Sequence, residues 1–173
     1  QMNLSPSMQF VMMRASAEAK AAHAGQPGVE CLFLGILKFS EVKAEEIMKA
    51  PPDALKIVNA DIAEVGGLLA KADIQSHRTR SLLRKVLSDG LTGSEQALVE
   101  CLSAAAERAA GRGKEDLWAQ DLLAVILEHP TDAILQVCPM KKQPEAKNGA
   151  DTEACAGKEE PPADEMTLSF LPA

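Results

Sequence analysis

The residues with the greatest capacity for chemistry are three histidines and four cysteines, and their spacing favours neither a metal site nor a catalytic pair. Zinc sites bring several ligands together and usually show paired spacing in the sequence. Here the cysteines form no Cys-x-x-Cys pair, and no histidine lies at ligand spacing from a cysteine. The positions are His23, His77, His129, Cys31, Cys101, Cys138 and Cys155. We expect no metal, no cofactor and buried free thiols, with a Cys–His enzyme left open as an alternative.

The segment that comes nearest to a phosphate-binding loop lacks essential parts of that motif. Residues 111–115 (GRGKE) come nearest to the G-x-x-x-x-G-K-[ST] pattern. They lack the first glycine at the required distance and the hydroxyl that would reach Mg²⁺. The segment is predicted to be a flexible loop between helices, and this chain by itself is expected not to hydrolyse ATP.

For two further clusters of residues, a binding surface is one of two interpretations. Met8, Met12 and Met13 surround Phe10 and either fill a core or form an adaptable apolar surface for varied peptides. The basic residues within 78–85 (RTRSLLRK) form either a solvated helix face or a contact for an acidic adaptor or an ATPase ring.

A faint internal duplication organises these positions. Residues 4–37 and residues 91–127 each contain a long Ala-rich amphipathic stretch, a short polar break and a dense apolar helix. Neither copy alone would bury its apolar face. We therefore expect an all-α fold with two pseudo-symmetric four-helix repeats packed as one domain over residues 4–139. Repeat 1 covers about 4–75 and repeat 2 about 91–139.

Capping and turn residues predict where the helices begin and end. Ser5 before Pro6 predicts a helix over about 6–24, and Thr92 with Glu95 predicts a capping box for the second long helix. Other helices are predicted over 30–39, 42–50, 77–90 (with Ser76 as its cap and Gly90 as its stop), 121–129 and 132–138 (with Thr131 as its cap). Residues 54–72 are predicted to form short helices capped by Asp53 and Asp61, with Gly66–Gly67 as a weak point.

Composition excludes several classes of partner. The net charge is −7, which argues against nucleic-acid binding because phosphate neutralisation requires a basic face. No apolar run approaches the roughly 20 residues of a membrane span, and no signal peptide is evident, so we expect a cytoplasmic protein with no membrane partner.

Residues 1–3 look like a tag remnant. Residues 140–173 are predicted to be an acidic flexible linker, leading to further chain.

With these segments in view, the chain resembles the N-terminal domain of Clp-type AAA+ unfoldases over about residues 4–139. The family pattern around the second helix of each repeat is Gly-Thr-Glu-His-Leu-Leu-Leu-Gly-Leu-Leu. Residues 28–37 (GVECLFLGIL) are identical at six of these ten positions, and Glu18-Ala19 also matches the family. Residues 120–127 (QDLLAVIL) take the place of the last eight positions in the second repeat.

The resemblance implies a peptide- or adaptor-binding site where these two apolar helices begin. In some members the glutamate at this position helps bind cationic or arginine-phosphorylated substrates, since a carboxylate grips guanidinium in a bidentate manner. This chain has Glu30 in the first repeat but Gln120 in the second, so only the first keeps a rim carboxylate. The candidate binding residues are Glu30, Val29, Met8, Met12, Ala119 and Gln120.

The function implied is non-enzymatic: a domain that recognises substrate or adaptor proteins for an ATP-dependent Clp protease or chaperone ATPase. The ATPase module would be attached in the full-length chain. Two alternatives stay open, a free-standing helical adaptor without an ATPase and a small helical enzyme.

Overall fold

The computed structural model describes residues 3–90 and 94–138, which contain eight helices and one pair of two-residue strands. The predicted all-α class is confirmed. The predicted linker over residues 140–173 lies outside the described residues, as does Thr92 of the predicted capping box. In chain order the elements are β1 (Asn3–Leu4), α1 (Pro6–Ala21), α2 (Val29–Phe39), α3 (Ala44–Ile47), α4 (Pro52–Lys71), α5 (Ser76–Ser88), α6 (Glu95–Gly111), β2 (Asp116–Leu117), α7 (Ala119–Glu128) and α8 (Asp132–Val137).

Side-chain caps start α1 and α8 as predicted. The Ser5 hydroxyl accepts a hydrogen bond from the Met8 amide at 3.2 Å, and the Thr131 hydroxyl accepts one from the Ile134 amide at 3.4 Å. Each bond satisfies an amide that has no partner within its own helix.

The start of α6 corrects the predicted capping box. The cap is Ser94, whose hydroxyl accepts a hydrogen bond from the Ala97 amide at 3.0 Å. Glu95 is already the first residue of α6, so it does not occupy the third helical position that a capping box with Thr92 requires.

Helix α4 corrects the expected division of residues 54–72. It is one continuous helix of 20 residues that passes through Gly66 and Gly67. Two glycines cost roughly 2 kcal/mol of helix propensity relative to alanine, and burial of Val58, Val65 and Leu69 on one face offsets that cost. Tertiary packing therefore overrides the local signal.

Two smaller predictions also needed correction. Helix α3 is only four residues long, not nine. Ser76 is the first residue of α5, not its cap, and its hydroxyl lies 2.6 Å from that of Ser40 at the end of α2. Gly90 does follow the end of α5, with a φ of +93° that only glycine adopts easily.

The core is built around α2 and α7, which contact each other. Helix α2 also packs against α1, α5 and α6, and α7 packs against α1, α4 and α6. All but one residue of α2 is buried, as its nearly all-apolar sequence predicts. The amino-terminal segment closes this arrangement, because β1 pairs in parallel with β2 and the Ser5 amide donates to the Leu117 carbonyl at 3.1 Å.

The order long helix, buried helix, short helix occurs twice, as α1–α2–α3 and α6–α7–α8. The described part of the second copy, residues 94–138, contains three helices, and both α4 and α5 lie between α3 and α6. Pseudo-twofold symmetry of two four-helix repeats stays a prediction. Superposition of α1–α3 on α6–α8 tests it.

The three described cysteines give a prediction about reactivity. Cys31, Cys101 and Cys138 are free thiols, and burial raises the pKa of Cys101 and of Cys138 to about 11. At pH 8 the thiolate fraction of each is then roughly a hundredfold below that of an ordinary cysteine. Brief iodoacetamide treatment followed by peptide mass spectrometry should label both far more slowly in the folded chain than in guanidinium. Equal labelling in both conditions would contradict this.

Candidate functional site

The predicted binding residues lie at the starts of α2 and α7 and on α1, but most of them are buried. Met8, Val29 and Ala119 are inaccessible to solvent or nearly so, and Met12 is half-buried. Glu30 is 1% exposed. The expected partly exposed carboxylate rim is therefore corrected, because the first turn of α2 packs into the core. A binding role for these residues stays a prediction.

The start of α7 is capped from another helix. Asp61, in the middle of α4, accepts hydrogen bonds from the amides of Ala119 and Gln120, both at 3.1 Å. The same carboxylate also accepts one from the side-chain amide of Gln120 at 2.9 Å. Asp61 was expected to cap a short helix of its own, so this assignment is corrected. The carboxylate instead stabilises the amino terminus of α7.

Burial sets the protonation behaviour of Asp61. The carboxyl group is 1% exposed, and desolvation raises its pKa above the ordinary value of 3.8. The hydrogen bonds from Gln120 and Ala119 oppose that rise. The Ser7 hydroxyl also lies close enough to favour the ionised form, although it misses standard hydrogen-bond geometry.

The turn between α6 and α7 is held by an ion pair. Arg112 donates from Nε and Nη2 to the two oxygens of Asp121, each at 2.8 Å, and Asp121 is buried. Arg112 belongs to the segment that resembles an incomplete phosphate-binding loop and was expected to be flexible. Its guanidinium instead anchors the end of α6 to the first turn of α7.

A second, larger ionic cluster joins α1 to α5. Arg84 donates from Nε to one oxygen of Glu18 at 3.0 Å and from Nη2 to the other at 2.6 Å. Arg14 approaches the same carboxylate from one turn earlier on α1, at 3.6 Å. The bidentate pairing explains why Glu18, whose side chain is only 8% exposed, tolerates burial.

These three charged residues line a surface pocket of about 380 Å³ between α1 and α5, which we call the Arg14/Arg84 pocket. Alanines supply much of its wall, and their small side chains leave the space open. The lining residues are Arg14, Ala17, Glu18, Ala21, Ala22, Arg84, Leu87 and Ser88.

Comparison with known proteins identifies no relative of this chain. No family model, curated protein or solved structure matches the chain. The resemblance to Clp N-terminal domains therefore stays a prediction from the residues quoted above.

Two structural features bear on other classes of function. Within residues 3–90 and 94–138, no helix combines the length and apolar character needed to cross a membrane. Over the same part of the chain, no three His, Cys, Asp or Glu side chains are grouped as metal ligands would be.

Sequence reasoning missed the two sites that involve pairs distant in the chain. Asp61 lies 58 residues before Ala119, and Glu18 lies 66 residues before Arg84. One signal was available, since Asp61 and Glu18 are acidic residues within apolar helical stretches, where a charge is expected to have a partner. The sequence alone does not identify that partner.

Proposed function

We propose that this chain is a protein-recognition domain that delivers substrate or adaptor proteins to an attached Clp-type ATPase. The observation that carries the proposal is the Clp-like sequence of residues 28–37 at the central buried helix of a fold in which the order long, buried, short occurs twice. Contact between α2 and α7 supports the packing of these two segments as one domain. Such a domain contributes binding, and the attached ATPase contributes the energy for unfolding.

The packing of the two repeated segments is unequal, which suits a domain with one principal binding face. Gly35 of α2 lets the backbone of α1 come close, whereas the matching position of α7 is Val125. Because valine carries a side chain where Gly35 has none, we expect α6 to lie farther from α7 than α1 lies from α2. The two helix pairs therefore present different surfaces, and we expect them to differ in function.

The proposal predicts weak, selective binding of unfolded protein. Titration of the chain into a fluorescein-labelled, permanently unfolded variant of a small protein with balanced charge should give a dissociation constant of about 10–100 µM by fluorescence anisotropy. The folded form of the same protein is the matched control and should bind at least tenfold more weakly. Equal binding of both forms, or none at about 1 mM chain, would overturn substrate recognition.

Two further measurements separate the alternatives. Calorimetry with ATP and Mg²⁺ should detect no micromolar binding to this chain, since residues 111–115 lack the parts of a phosphate-binding loop. Reading the coding sequence after the codon for Ala173 tests the attached ATPase. An in-frame G-x-x-x-x-G-K-[ST] loop supports it, and a stop codon supports the free-standing adaptor instead.

A further inference from the structure

The Arg14/Arg84 pocket has an excess of positive charge. Its two guanidinium groups and one carboxylate sum to a formal charge of +1. Arg84 already satisfies both oxygens of Glu18, so the weaker 3.6 Å approach of Arg14 adds little to that pairing. Among the described residues, the Nε of Arg14 is buried without a hydrogen-bond partner, so a ligand would meet the exposed atoms of this side chain instead. The exposed part of the Arg14 side chain is therefore available to another anion.

A ligand can reach both arginines from solvent. The side chain of Arg14 is 31% exposed and that of Arg84 is 45% exposed. The pocket volume of about 380 Å³ accommodates one or two side chains of a peptide rather than a whole folded element. Leu87 contributes apolar surface beside the two guanidinium groups, which suits the methylene groups of a glutamate.

The basic character continues along α5. Its 13 residues include four cations and no acidic residue, although the chain as a whole has a net charge of −7. Arg80 is paired with Glu41 at 2.9 Å, while Arg78 and Lys85 are exposed. A ligand with several negative charges spaced along a chain therefore fits the exposed cations of α5 better than a single small anion does.

We propose that the Arg14/Arg84 pocket binds glutamate or aspartate side chains of an acidic segment in a partner protein. This inference rests on the proposed recognition function and specifies the chemistry of one class of partner. Arg14 turns its N–H donors to the incoming carboxylate, while Arg84 stays anchored by Glu18 and contributes its remaining donors. The exposed cations of α5 attract the rest of the acidic segment.

The test uses a fluorescein-labelled decapeptide of alternating glutamate and serine, titrated with the whole chain at low salt. Binding should be measurable, and it should weaken as NaCl rises. Arg14→Gln should weaken it about fivefold, since a charge-assisted contact at a half-exposed site is replaced by a neutral one. Arg84→Gln should also weaken it, with circular dichroism used to confirm that each variant is folded.

Arg108→Gln is the matched control. Arg108 is 47% exposed and lies 3.6 Å from Glu128, an ion pair like that of Arg14 but outside the pocket. This variant lowers the net charge equally and should change the affinity less than twofold. Equal effects of Arg14→Gln and Arg108→Gln would show that general charge attraction accounts for the binding, and would overturn the proposed pocket. Absence of binding by the unaltered chain would do the same.

A parallel titration with the unfolded, charge-balanced protein separates this inference from the proposed function. Binding of the unfolded protein without binding of the acidic peptide overturns the pocket and leaves the recognition function standing. Binding of the acidic peptide without binding of the unfolded protein overturns the recognition function and leaves the pocket standing.

Discussion

Gly35→Ala should lower the free energy of unfolding by about 2–3 kcal/mol or more. A methyl group at this position of α2 would lie 2.6 Å from the carbonyl oxygen of Val11 and 3.2 Å from its Cγ1. The nearer atom is backbone of α1, so relief requires the two helices to move apart. Overpacking of this kind usually costs 1–3 kcal/mol, and rigid backbone places it at the upper end. Urea denaturation followed by circular dichroism measures the loss.

Gly67→Ala is the matched control for this substitution. Gly67 also lies within a helix, but nothing comes within 4 Å of a methyl group there. Alanine should therefore raise stability by roughly 0.5–1 kcal/mol through its better helix propensity. Opposite signs for the two substitutions support the close packing of α1 on α2. Two stabilising substitutions would show that α1 lies farther from α2 than the structure has it.

Asp61→Asn should destabilise the chain by about 2 kcal/mol at neutral pH. One carboxylate oxygen accepts the Ala119 amide and the other accepts two N–H groups of Gln120. Asparagine keeps one acceptor and places an NH₂ group where the second stood, so at least one buried donor loses its partner. Such a loss costs about 1–3 kcal/mol. The change is measured by urea denaturation.

Asp89→Asn provides the comparison, because Asp89 is an exposed residue at the end of α5. It makes the same chemical change and should alter stability by no more than about 0.5 kcal/mol. Equal effects at both positions would show that the Asp61 hydrogen bonds do not stabilise α7.

The pKa of Asp61 adds a dependence on pH. Since burial raises the pKa above 3.8, the folded chain retains this proton to a higher pH than the unfolded chain. The resulting contribution to stability is complete below pH 3.8 and is lost as the pH rises through the folded pKa. The stability difference between the unaltered chain and Asp61→Asn should therefore narrow over that rise. A difference that widens instead would contradict the raised pKa.

Local sequence signals predicted the helical class and several helix boundaries. Ser5 with Pro6, Thr131 and Gly90 act within a few residues of themselves, so their roles follow from local chemistry. Residues 30–39 are apolar nearly all round and likewise predicted a buried helix, because such a sequence leaves almost no face for solvent.

The accessible surfaces and the pairing of charges depend on how the helices pack. Glu30 was expected at a rim and is buried in the core, since its exposure depends on what packs over the first turn of α2. The partners of Asp61 and Glu18 lie about 60 residues away. The Arg14/Arg84 pocket exists only where α1 meets α5. Local propensity acts over a few residues, whereas these contacts depend on how separate helices pack. Packing also stabilises α4 as one continuous helix through its two glycines.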